Sequence, residues 1–330
     1  MRKILLLLCV MACITASAQT TDEGRIAIKA LMPDGQELTT DASGQIETKM
    51  QQLLTNNGYA DNDYAERFVL TVKVDVISKD VAPSTPARIS EKMDVTFFVG
   101  DVVENKVYAS ATLQVTGIGV NENKAYISAF NNIKTDNPKL RGMLSEAKAK
   151  IIDYYTNNCA GQIARTKTLA ATGQYDEAIA NMMSGPNVCS DCFSKCQQAA
   201  IDFYQQKIDT SGRQLLEKAR NMWTKNPHAE GTAEVIPILN EISVASTVFP
   251  EVEQFREQIV ARLSADEQKA LEQEQRDWDF KMRQYNDAQE NKSAVIKACH
   301  DIGVAWAKNQ PKTITRTIIH GWWCNYSAIV

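Results

Sequence analysis

The chain has 330 residues, 44% of them hydrophobic and 23% charged, with 36 Lys and Arg against 40 Asp and Glu. That length favours two domains over one, and the apolar share is enough for a true core. A net charge of −4 without a basic block excludes the electrostatics that a nucleic-acid partner demands.

The first elements are an address. Arg2 and Lys3 form a basic start, Ile4 to Val10 is apolar, and Ala16-Ser17-Ala18 precedes Gln19. This layout predicts a secretory signal peptide over residues 1–18 with an A-x-A cleavage site. The apolar run is too short to span a ~30 Å hydrocarbon core. A second reading of the same stretch has Cys13 lipidated, which would anchor the protein. No later run approaches the length of a membrane-spanning helix, so a periplasmic or outer-membrane-associated protein without a transmembrane helix is expected.

Residues 25–157 read as a small α+β domain. Ile26, Ile28, Ala30 and Met32 alternate as a strand. Ile46, Met50, Leu53 and Leu54 make one helical stripe, which Asn57-Gly58 ends. Three runs of period two follow: Phe68 to Val76, Met93 to Val99, and Val107 to Val115. Their other faces are polar, which predicts a mostly antiparallel sheet, packed on one side and wet on the other. Asp80 to Pro86 reads as a long loop and Glu104-Asn105 as a tight turn. Tyr126, Phe130 and Ile133 mark one further helix. Leu140 to Tyr155 marks another, with Pro138 near its first turn. These helices must cover the apolar sheet face. Gly117-x-Gly119 lacks the third Gly of a phosphate loop and reads as a strand-to-helix turn with unusual φ.

The element order, and Gly117-Ile118-Gly119-Val120-Asn121 leading into Ala125, Ser128 and Ala129, resemble the N-terminal domain of TolB and the CsgG-like periplasmic domains. The resemblance covers roughly residues 25–155 and carries no catalytic groups. It implies an envelope protein that binds other proteins.

Residues 160–330 read as an all-α region with an extended tail. Leu169, Ala170, Gly173, Tyr175, Ala178 and Ile179 resemble the helix–turn–helix phrase of a tetratricopeptide repeat, which implies packed helix pairs and a protein-binding surface. Further helices are expected over about 189–207, 210–225 and 230–243. A long charged helix follows Pro250. Its stripe of Leu271, Trp278, Met282 and Tyr285 at roughly heptad spacing would be a solvated seam, or a coiled-coil surface for a partner or a second copy. The β-branched tail ends in Trp322-Trp323-Cys324. The two Trp residues are candidates for a partner surface or for stacking on a sugar, and more often such a pair closes a core.

Six cysteines follow the leader: Cys159, Cys189, Cys192, Cys196, Cys299 and Cys324. In an oxidising compartment they predict disulfides. Cys159 is expected to bridge Cys192 or Cys196, and Cys299 to bridge Cys324. Cys189, Cys192 and Cys196 stand at i, i+3 and i+7, one helical face. They could instead hold zinc together with Cys159. A redox pair Cys189-x-x-Cys192 is the third reading, although the strand that precedes such a motif in its usual frame is missing. No triad or hydrolase motif appears. The expectation is an exported, non-enzymatic protein of the cell envelope without cofactor, acting through contacts with other envelope proteins. A thiol or metal protein is the alternative, and a carbohydrate-binding module a further one.

Overall fold

The computed structural model describes residues 26–35, 38–59, 67–263, 276, 279–281, 283 and 292–310. An α+β part comes first. It consists of β1 (Lys29–Ala30), α1 (Thr40–Asn56), β2 (Phe68–Ala82), β3 (Arg88–Asp101), β4 (Lys106–Gly119), α2 (Glu122–Asn131) and α3 (Pro138–Ala171). Helices alone follow: α4 (Tyr175–Met183), α5 (Ser190–Lys225), α6 (Ala229–Glu241), α7 (Phe249–Arg262) and α8 (Lys292–Lys308). This is the expected fold class, an α+β domain followed by a helical one. Among the described residues no helix is long and apolar enough to cross a membrane. Residues 1–18, Leu271, Trp278, Met282, Tyr285, Trp322, Trp323 and Cys324 lie outside the described residues.

The sheet order is β1-β2-β3-β4, with β1 parallel to β2 and the remaining pairs antiparallel. Alternation decides its inner face. Phe68, Leu70, Val72, Met93, Val95, Phe97, Val99, Ala109 and Leu113 are buried together with Ile46, Met50 and Leu53 of α1 and Phe130 of α2. Helix starts are set by short polar side chains. Thr39, Asn121 and Asn137 each accept a backbone N–H of the first turn of α1, α2 and α3.

Three strand features differ from the expectation. The ladder of β2 and β3 continues past the apolar runs to Ala82 and Arg88, so the loop is shorter than predicted. Backbone pairing needs no hydrophobic face to continue, and a bulge between Val76 and Ser78 carries it into solvent. The far face is not wholly wet. Leu31, Val69 and Phe98 form a small cluster there, and Thr71 is fully buried. Finally, Gly117 and Gly119 are strand residues without positive φ. They are glycine because α2 lies against them. A Cβ on Gly117 would sit 1.9 Å from the Ala125 carbonyl oxygen, and one on Gly119 would sit 2.4 Å from the Ala125 nitrogen.

α3 leads from the sheet into the helical part across a kink at the non-helical Asn158 (φ −116°, ψ 15°). It ends at Thr172, and Gly173 turns the chain with φ +82° into α4, where the repeat-like phrase lies. α4 stops before Gly185-Pro186, as the sequence implies. α5 is one helix of 36 residues, where two had been expected. The break expected between 207 and 210 is instead a docking point. The Asp209 carboxylate accepts from the Ser246 hydroxyl, the Thr247 N–H and the Gln205 amide, and Gly212 leaves room for Ser246. The C-terminal half of α5 packs Leu216, Ala219 and Trp223 on α6 and α7 in a second core. α8 returns to α4 and α5, with Gly303 against Met183 and Ala180.

Candidate functional site: a disulfide, free thiols and a cleft

The bend of α3 at Asn158 precedes Cys159, while Cys189 stands at the N-cap of α5 and Cys192 and Cys196 in its first turns. Cys159 and Cys192 form a disulfide, with Cα atoms 5.6 Å apart. This is one of the two pairings expected from sequence. The other candidate, Cys196, sits one turn along α5. Its Sγ is 3.9 Å from the Cys192 Sγ, and all three sulfurs lie within 4.8 Å of one another. Cys196 is a free thiol, only 3% exposed. Burial pushes its pKa up, and the positive charge of Arg67 partly opposes that shift.

Cys189 caps the start of α5 and is also free and buried. Its thiol donates to the Ile152 carbonyl at 3.6 Å and receives the Thr156 hydroxyl at 3.7 Å. The Cys189-x-x-Cys192 pair is therefore not the disulfide, because Cys192 is spent on Cys159. The bridge likewise leaves Cys196 as the one free thiol of the three-sulfur group, short of the four ligands that zinc takes. Cys299 is a free thiol as well, fully buried in the α5–α8 contact and directed at the Ala200 carbonyl. Its expected partner, Cys324, lies outside the described residues.

The disulfide forms part of the wall of an open cleft of about 750 Å³ between α3 and the start of α5. Thr156, Ala160, Ile163, Ala164 and Val188 give it a mixed, mostly small lining. Lys167, Lys195 and Asp191 supply its charge, with Lys195 and Asp191 paired at 2.7 Å. These wall residues come from two helices brought together by the bridge, so neither stretch announces a cleft on its own.

Behind the cysteines lies a buried polar network that the sequence reading missed. The Arg67 guanidinium donates to Asp101 at 2.9 Å, to the Asn181 carbonyl at 3.0 Å and to Glu104 at 3.3 Å. The Tyr155 hydroxyl donates to the same Asp101 oxygen at 2.6 Å, while Asp101 also accepts the N–H groups of Val103 and Glu104. Tyr154 and Arg165 donate to Glu104 at 2.9 and 2.7 Å. The network ties the entry to β2 and the β3–β4 turn to α3 and α4. Burial works against the Glu104 carboxylate, but Arg165, Tyr154 and Arg67 together hold its pKa below the usual range. Burial also drives the Tyr155 hydroxyl far above its ordinary pKa, which keeps it a donor. The available signal was weak. Asp101 interrupts the apolar run Val99-Gly100-Asp101-Val102-Val103, where an Asp reads as ordinary turn chemistry.

No protein-family model matches the chain, and no curated protein matches it. Among solved structures, the chain is similar to a minor lipoprotein from Acinetobacter baumannii. The identity is 18%, the match covers 40% of this chain and 90% of that one, and the TM-score is 0.21. A score that low carries no inference about fold or function.

Proposed function

We propose that this is an exported, non-enzymatic protein of the cell envelope that binds a segment of another envelope protein in the cleft between α3 and α5. The observation that carries the reading is the cleft itself, open, small-residue-lined and stapled by a disulfide. Disulfides persist in oxidising compartments, which agrees with the leader-like residues 1–18. Lys167 leaves the cleft's charged lining with one cation in excess of the Asp191–Lys195 pair, so the occupant is a segment bearing an acidic side chain. The resemblances to TolB-type and tetratricopeptide domains fit the same role.

The test is site-specific photocrosslinking in intact envelopes. A photoreactive side chain at Ala164 should give one discrete adduct. The same group at Glu217 should give none, and Lys167→Glu should remove the Ala164 adduct. An adduct unaffected by Lys167→Glu and shared by both positions would sink the cleft as the binding face. Full-length product recovered only from cytosol would sink the location.

A further inference from the structure

The geometry points to Cys196 as an internal exchange thiol that moves the disulfide of Cys159 from Cys192 to itself and releases Cys192 as a free thiol at the cleft. Three sulfurs within 4.8 Å of one another share one covalent bond. Two of them, on Cys192 and Cys196, stand on the same face of α5 one turn apart and look at the same residue of α3. Either can serve as the partner of Cys159. Cys192 and Cys159 line the cleft, whereas Cys196 lies behind them, beneath the wall. Cys189, already free, lines the cleft in either case, so the position of the bridge decides whether Cys192 adds a second free thiol beside it.

The step balances without an outside oxidant or reductant. The Cys196 thiol gives its proton to solvent base, and the thiolate attacks the Cys159 sulfur. The Cys159–Cys196 bond forms as the Cys159–Cys192 bond breaks, and Cys192 leaves as a thiolate that takes up a proton. The alternative product, Cys192–Cys196, is disfavoured. Side chains at i and i+4 hold their Cβ atoms about 5–6 Å apart, and a disulfide wants them about 3.8 Å apart, so α5 would have to distort. A bridge between α3 and α5 keeps both helices. A buried thiol ionises late, with Arg67 as the charged group that favours its thiolate. Exchange is accordingly slow at neutral pH and speeds up as pH rises toward and past the ordinary thiol range.

The sequence offers a clean readout, because trypsin cuts between Lys195 and Cys196. Cys159 falls in peptide 151–165, Cys189 and Cys192 in peptide 168–195, and Cys196 in peptide 196–207. Folded, unreduced protein is held at about pH 8.5, near the ordinary thiol pKa, with iodoacetamide, then acid-quenched, digested and fragmented by mass spectrometry. The starting cross-link, 151–165 to 168–195, should give way to 151–165 joined to 196–207, with Cys192 alkylated. Cys196→Ser should abolish both changes. Cys192→Ser should carry the 151–165 to 196–207 cross-link from the outset. The inference is overturned if the wild type keeps its first cross-link throughout, if Cys192 is alkylated equally in Cys196→Ser, or if Cys192→Ser leaves Cys159 and Cys196 both free. None of these readings depends on a partner, so the inference stands or falls apart from the binding role.

Discussion

Single side chains in this protein act mainly through what surrounds them. Gly117 is the sharpest steric case. With the Ala125 carbonyl 1.9 Å from where a Cβ would stand, Gly117→Ala must push α2 off β4. Overpacking of this kind costs about 1–3 kcal/mol, and the urea midpoint should fall accordingly. Glu91 is the sharpest electrostatic case. It is 2% exposed on the inner face, and its Oε2 meets no hydrogen-bond partner. Burial, aided by Glu122 and opposed by Lys79, raises its pKa. The folded state thus holds this proton more tightly than the unfolded chain does. Ionising the group costs stability as pH climbs through the raised pKa. Glu91→Gln should stabilise the protein at neutral pH, and the gain should vanish below about pH 4.3, the ordinary glutamate pKa. Glu104 has the opposite sign. Its lowered pKa gives stability that is present above the ordinary carboxylate range and lost as pH falls through the depressed value. Denaturant melts of Glu104→Gln should therefore show a flatter loss of stability toward acid than the wild type.

At the level of elements, the bridge is where covalent and helical structure meet. Cys159→Ser removes every Cys159 bridge and should cost about 2–4 kcal/mol. Cys192→Ser should cost less, because Cys196 stands close enough to replace it, and thermal melts of the two variants compare them directly. The elements were unevenly legible in sequence. Period-two and period-3.6 patterns placed the strands and α1 to α4, because one face of each meets a core. They fell short where no core face exists. The outer arm of β2 is exposed beyond the bulge at Val76 and Ser78, and the facing stretch of β3 buries the polar Glu91 rather than an apolar side chain, so no apolar alternation marks them. They also misread α5. A break was expected between 207 and 210, yet Asp209 there and Gly212 just after it answer to Ser246, more than thirty positions away. Local signals cannot separate a helix stop from a helix notch when the deciding partner is distant in sequence.

Over the whole molecule two cores are strung on long helices. One joins the sheet, α1 to α4, the first half of α5 and Cys299 of α8, and the other joins the rest of α5 to α6 and α7. Phe249 is fully buried in the second core. Phe249→Ala should cost about 3–5 kcal/mol there, and hydrogen exchange should rise through α6 and α7 while β2, β3 and β4 keep their protection. Equal loss of protection in both cores would mean that they unfold as one. What the sequence by itself determined is the class of each half, the inner face of the sheet and the pair of thiols from which Cys159 draws its partner, because periodicity and helical spacing are local geometry. Only the tertiary structure decided the Cys159–Cys192 bond, the third sulfur beside it, the cleft they border and the ionic network of Arg67, Asp101 and Glu104. Each of those is made by groups from separate elements, and their distances exist only once packing has fixed how the helices cross the sheet.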